Sequence, residues 1–213
     1  TESDTRARHD ARPISFDYGQ RHSREIQAAS EVSAIAGVVN HLVTVPHTHL
    51  QSVSPLVSPE AQLPQYKDYD SMLESVGTKV EVTFVPMRNA LFLTLAMNHA
   101  VALGCSRIVI GVSQEDSANY PDCSKAFIHA YQTMAHQALP SGSRVIIDTP
   151  LIDCTKAETV RIMRGLGRLA WNALAYTHTS YDGKDPPTDM NHANVLRAKG
   201  FEEARCMDPL VLR

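Results

Sequence analysis

The sequence predicts an α/β fold in which short parallel strands alternate with helices, and three observations carry that prediction. Short β-branched runs alternate with stretches whose apolar residues recur at spacings of three and four, the pattern of parallel βα units. The run Ile108, Val109, Ile110 with Val112 has the length and type of a strand buried on both faces. Polar clusters then follow the strands, at the carboxyl edge where open α/β sheets bind ligands. The 213 residues suffice for one domain with a sizeable core, so 1–213 reads as a single domain.

Residues 1–12 are polar and charged and read as a solvated tail or the exposed end of a helix. Pro13 to Phe16 is a short strand candidate. Ile26, Ala29, Val32, Ile35 and Val39 share one helical face, and Leu42 to Val45 forms a second strand ended by Pro46. From about 47 to 79 the pattern dissolves around Pro55, Pro59 and Pro64, an irregular insertion that suits a lid over the sheet's active edge or a floppy excursion. Val80 to Val85 reads as extended. Pro86 opens a long apolar helix through Leu91, Leu95 and Val101 that Gly104 can close. Arg88 and Asn89 sit in its first turn, where exposed N–H groups favour an anion and an arginine adds a bidentate clamp, although a solvated arginine is equally at home there.

After the 108–112 strand come Gln114, Glu115, Asp116, Asn119, Tyr120 and Asp122 within a few residues, a polar cluster suited to a ligand or to a solvated βα loop. A helix over about Phe127 to Ala138 precedes a strand at Arg144 to Ile147. Thr155 and Glu158 have capping-box spacing, and Lys156 lies in the first turn of the helix they open. A lysine is unfavourable at that end of a helix, so an anionic ligand explains it better than helix stability does. A last helix is expected from about Met190 to Ala204.

A formal net charge of −3 provides no basic surface for nucleic acid and no polybasic membrane patch. The most apolar run, Ala90 to Met97, is too short to span a bilayer. Four dispersed cysteines (Cys105, Cys123, Cys154, Cys206) without paired spacing suggest reduced thiols and a cytoplasmic location.

The segments FDYGQRH (16–22), FVPMRNALFL (84–93), IGVSQEDSANYPDC (110–123) with Phe127, TPLIDCTKAE (149–158) and LRAKGFEEA (196–204), in this order, closely resemble the 7-cyano-7-deazaguanine (preQ0) synthase family. That family is a branch of the N-type ATP pyrophosphatases. The resemblance implies a doubly wound, mainly parallel sheet with helices on both faces, like the adenine nucleotide alpha hydrolases, plus a small C-terminal helical segment. It also implies a ligase that uses ATP with Mg2+ to activate the carboxylate of 7-carboxy-7-deazaguanine, accepts ammonia to give the amide, and dehydrates that to the nitrile in queuosine biosynthesis. Partners would be the small 7-deazaguanine substrate, ATP and ammonia, with no nucleic acid and no membrane; a homodimer is compatible with it.

By resemblance, Arg21, Arg88 and Lys156 would cradle the phosphates. Phe16, Asp17, Tyr18, Gly19, Gln20 and His22 would bind ATP, with the backbone at 16–19 against adenine. Asn89, Asp116, Tyr120, Pro121, Asp122 and Phe127 would bind the heterocycle, Tyr120 by stacking and Asp122 through its guanidine-like edge. Alternatives are an enzyme that stops at 7-amido-7-deazaguanine, a deazapurine-binding protein without ATP turnover, and a sibling N-type enzyme acting on another substrate.

The sequence departs from the family pattern in two places. The family's Ser-Gly-Gly-x-Asp-Ser loop has no counterpart, since the first glycine is Gly19, and the expectation is that a segment bearing that loop and a central strand precedes Thr1. The family's zinc cysteines are replaced, in region 178–213, by Ser180, Thr188, Asn191 and Asn194, so zinc is not expected and side-chain hydrogen bonds are expected to hold the turn. His178, His192 and Cys206 lie nearby without motif spacing and read as ordinary surface residues. Ser124 stands where the family has an arginine. Together these suggest a divergent member, from a phage or a specialised cluster.

Overall fold

The computed structural model describes residues 11–46, 50, 52–58 and 60–213, so most of the expected N-terminal tail lies outside the described residues. Strand β1 (Ile14–Asp17) leads into helix α1 (Arg24–Ala36), and β2 (His41–Thr44) returns parallel to β1 with Ile14 opposite His41. Gly37 closes α1 at a left-handed φ of 74°, where its N–H and that of Val38 reach the carbonyls of Ala34 and Ser33. Then follow α2 (Tyr69–Val76), α3 (Arg88–Ala102), β3 (Arg107–Val109), α4 (Gln114–Asn119), a 3-10 turn at Pro121–Cys123, α5 (Lys125–Ala138) and β4 (Ile146–Asp148). Helices α6 (Lys156–Gly165), α7 (Arg168–Leu174) and α8 (His192–Glu203) complete the chain. This is the expected α/β architecture, and its strands are parallel.

The strands form two parallel pairs, β1 with β2 and β3 with β4, rather than one continuous sheet among the described residues. Helix α3 joins the halves because it is apolar on more than one side. Ala90, Leu93, Met97 and Ala100 pack with Ile128, Tyr131, Ala135 and Ile147 in one core. Leu91, Phe92 and Leu95 face a second core around Tyr18, Val45, Leu50 and Val85. The expectation that the 108–112 strand is buried on both faces is corrected. Val109 is 64% exposed and Ile146 on β4 is 53% exposed, because the helices cover only the face that carries Ile108 and Ile147.

Two further expectations are corrected. The stretch 47–79 is not irregular throughout: Asp68 and Ser71 close a capping box on α2, whose Met72 and Val76 pack against Val195 and Leu196 of α8. Serine at the third helical position hides a box usually recognised by Glu or Gln. Val80 to Val85 is not a strand, since a turn from Glu81 to Phe84 interrupts it and Val80 and Val82 face water. The polar residues between them point inward instead. Thr83 shares a 2.7 Å hydrogen bond with the Tyr120 hydroxyl. Glu81, 2% exposed, accepts from Tyr66 at 3.4 Å, and burial pushes its carboxyl up. All four cysteines are free, and among the described residues no helix is long and apolar enough to cross a membrane.

Candidate active site

Two neighbouring cavities share Arg88 and Phe92 as walls. The smaller, about 280 Å³, lies at the carboxyl end of β1 between Phe16, Tyr18, Glu25 and the start of α3. The larger, about 630 Å³, is enclosed by the 110–112 segment, α4, α6 and α8. Its volume falls within the usual range for a small-molecule site.

The smaller cavity is aromatic on one side. Phe16 stacks on Phe92 at 4.1 Å and 9°, Tyr18 meets Phe92 edge-on at 5.3 Å, and the Arg88 guanidinium lies 6.0 Å from the Tyr18 ring centre. Gln20 folds back over the end of β1: its Oε1 accepts from Tyr18 N–H at 2.8 Å and its Nε2 donates to Phe16 C=O at 3.2 Å. The backbone pair expected to hold adenine is therefore bonded to this side chain. Asp17 accepts from Gly19 N–H, with Gly19 at a left-handed φ of 77°. Burial, against the fields of His22 and Arg88, pushes the Glu25 carboxyl up.

Arg88 stands between the cavities. Burial works against its charge, but Tyr18, Asp122 and Tyr181 outweigh that and hold its pKa up. The positive end of α3 is already matched: Asp122 accepts from Asn89 N–H at 3.2 Å, and the Asn89 amide donates to Asp122 C=O and Cys123 Sγ.

In the larger cavity Tyr120 presents a ring held by Thr83, with Phe84 at 6.4 Å. Burial pushes the neighbouring Tyr181 hydroxyl up to about 12. Lys156 donates to Ser113 Oγ at 2.8 Å and to both Asp116 oxygens at 3.0 Å, and Glu115 accepts from its backbone N–H. The expectation that an anionic ligand explains this lysine is corrected, because α4 supplies its counter-charge. The Cys123 thiol is pushed up to about 12 by burial, with Asp122 and Asp116 adding, so it is no thiolate nucleophile at neutral pH.

Of the expected residues, the fold brings Phe16, Tyr18, Arg88, Asn89, Asp116, Tyr120 and Lys156 to the two cavities. The others do not line them. Arg21 donates to the carbonyls of Pro55 and Ala61 and ties down that loop. His22 meets His178 edge-on at 5.6 Å. Asp122 braces Asn89 from behind, Pro121 opens the 3-10 turn, and Phe127 packs on Tyr131. Ser124 caps α5 by accepting from Phe127 N–H, a role the family's arginine could not fill.

Sequence reasoning missed Phe92, Tyr181 and His192. Phe92 was recoverable, being four residues beyond Arg88 on one helical face. Tyr181 and His192 reach the cavity only through the C-terminal turn. The expectation that His192 is a surface residue is corrected: it is 2% exposed and lines the larger cavity.

Hydrogen bonds organised by two unforeseen carboxylates hold that turn. Asp189 accepts from Tyr181 N–H at 3.0 Å, from Asn194 Nδ2 at 2.7 Å and from Asn191 Nδ2. Asn191 caps α8 by accepting from Asn194 N–H. Asp182 accepts from Ser180 and Thr188. Partial burial opposes its charge, but the hydrogen bonds from Ser180 and Lys184 prevail and hold its carboxyl at about 2. A carboxyl lowered from 3.8 stabilises the fold above the unfolded value, and that stabilisation disappears as pH falls through about 2. Asp182→Asn is therefore expected to lower unfolding free energy by about 1–2 kcal/mol at neutral pH. Urea melts near pH 7 and in strong acid check this, with the gap to wild type closing in acid.

The family model for queuosine biosynthesis protein QueC matches residues 5–205. The chain is similar to the 7-cyano-7-deazaguanine synthase of Gloeobacter violaceus, 40% identical over 199 residues, covering 92% of this chain and 83% of that protein. It is also similar to the synthases of Laribacter hongkongensis, 38% identical over 200 residues (94% and 82% covered), and Citrifermentans bemidjiense, 37% identical over 202 residues (92% and 84% covered).

Proposed function

The chain belongs to the queuosine biosynthesis protein QueC family, and from that premise we propose that it is a synthase that makes 7-cyano-7-deazaguanine from 7-carboxy-7-deazaguanine, ATP and ammonia. The observation that carries this reading is the shared wall of Arg88 and Phe92 between an aromatic pocket at the end of β1 and a larger, mainly apolar cavity with a few polar side chains. An arginine so placed reaches groups bound on both sides.

In this reading the nucleotide's base enters the smaller cavity beside Phe16 and Phe92, which requires Gln20 to release the backbone of Phe16 and Tyr18. The aromatic walls and the strand-end donor and acceptor suit a flat base. The deazapurine lies in the larger cavity against Tyr120, with the Asp116–Lys156 pair also lining that cavity. A substrate carboxylate oxygen attacks the α-phosphorus of ATP and pyrophosphate leaves; ammonia then displaces AMP and loses a proton to give the amide. In a second cycle the amide oxygen is adenylated, and AMP departs with that oxygen as the nitrogen loses two protons, giving the nitrile. Arg88 stabilises negative charge where the two substrates meet. Mg2+ would supply charge neutralisation on the phosphates.

Incubating the full-length protein with the carboxylate, ATP and ammonium, and weighing the product by mass spectrometry, tests the proposal. The nitrile is expected. Accumulation of the amide alone would restrict the enzyme to one ATP cycle, and binding of the deazapurine without AMP release would overturn the ligase reading.

A further inference from the structure

His192 begins α8 directly after its Asn191 cap, and the close approach of α8 to α6 holds it inside the larger cavity. Its ring meets Tyr120 at 6.0 Å and 70°. Its charged neighbours are Asp116 of α4 and Lys156 of α6, which are bonded to one another. Among the described residues the ring makes no side-chain hydrogen bond, and its nitrogens are not among the fully buried atoms that lack a partner, so they border the cavity and a ligand can reach them. A ligand that displaces water from these nitrogens has to replace the hydrogen bonds it removes, because leaving them unmade is costly. Burial pushes this imidazole down, with Asp116 opposing and Lys156 assisting, so at neutral pH it carries one N–H donor and one bare acceptor nitrogen. A guanine-like heterocycle offers the matching groups on its edge, whereas a purely apolar ring would leave both nitrogens unsatisfied.

We infer that His192 is a ligand-binding residue, hydrogen-bonding the polar edge of the heterocycle that lies against Tyr120. This rests on the proposed assignment of the larger cavity to the deazapurine. It makes His192 a determinant of specificity, since an analogue without edge donors and acceptors would displace water from the imidazole and leave it unpaired.

The test is calorimetric titration of the full-length protein with 7-carboxy-7-deazaguanine, without nucleotide, between about pH 5.5 and about pH 8, across the imidazole range. His192→Phe retains a flat ring beside Tyr120 and is expected to bind about tenfold more weakly at neutral pH. His192→Asn, which keeps a donor and an acceptor, should recover part of that loss. Wild-type affinity should fall as pH drops through the imidazole range, where protonation replaces the acceptor by a second donor, and the phenylalanine variant should lose that dependence. Thermal unfolding of each variant separates binding from folding. Wild-type-like affinity and pH profile in His192→Phe would overturn the inference while leaving the cavity assignment standing. So would an affinity loss that merely tracks lost stability and keeps the pH profile. Failure of the wild type to bind would remove both the inference and the cavity assignment.

Discussion

Arg88→Ala is expected to lower kcat/KM for the deazapurine carboxylate by about a thousandfold, the scale seen when a preorganised charge-stabilising donor is removed. Arg88 is the charged residue common to both cavities, and its guanidinium stays charged throughout the working pH range. Within the protein its Nε donates to Asn89 Oδ1 at a long 3.3 Å, and its guanidinium also hydrogen-bonds the Tyr18 side chain. Arg88→Lys keeps the charge but loses the planar fork, so intermediate activity is expected. Steady-state kinetics on both variants, with circular dichroism to verify folding, decide the matter. More than about a tenth of wild-type activity in Arg88→Ala would show that charge develops elsewhere.

Gly200→Ala is expected to be nearly as damaging, though the residue lies outside the reacting groups. Helix propensity favours alanine by about 1 kcal/mol. Against that gain, a Cβ at Gly200 would lie 2.7 Å from Lys156 Cβ and 3.1 Å from Lys156 C. These are the root of a side chain and its backbone, neither of which can swing aside, so α8 must move off α6. Overpacking of this kind costs about 1–3 kcal/mol and outweighs the propensity gain. The displacement shifts both Lys156 and His192, and a misplacement of about 1 Å can cost about a hundredfold in rate. Chemical denaturation and kcat together check this; unchanged stability and activity would show that the two helices have room to spare.

Local chemistry decided which parts of the molecule were legible in its sequence. The Thr155–Glu158 capping box, the apolar face of α3 and the extent of α8 follow from short-range rules, and the structure has them at the expected residues. Arg88, Tyr120, Asp116 and Lys156 line the larger cavity, and they were legible as candidates because they follow strands or open helices on one edge. Asp122 and Arg21 were misplaced because their partners, Asn89 N–H and the carbonyls of Pro55 and Ala61, are backbone atoms that no side-chain pattern reveals. Lys156 drew attention as a cation at the wrong end of a helix, but its counter-ion Asp116 lies forty residues earlier and only the fold joins them. Asp182, Asp189 and His192 belong to a turn whose hydrogen bonds connect residues 179–194 in a way periodicity cannot report.

The central claim is that the two cavities flanking Arg88 form one site, in which a nucleotide and a flat heterocycle meet. A crystal structure of the full-length protein with 7-carboxy-7-deazaguanine and a non-hydrolysable ATP analogue tests it most directly. The account predicts the heterocycle against Tyr120 and His192, the adenine beside Phe16 and Phe92, and the Arg88 guanidinium in contact with both ligands. Ligands bound on separate faces, or a heterocycle outside the larger cavity, would contradict it.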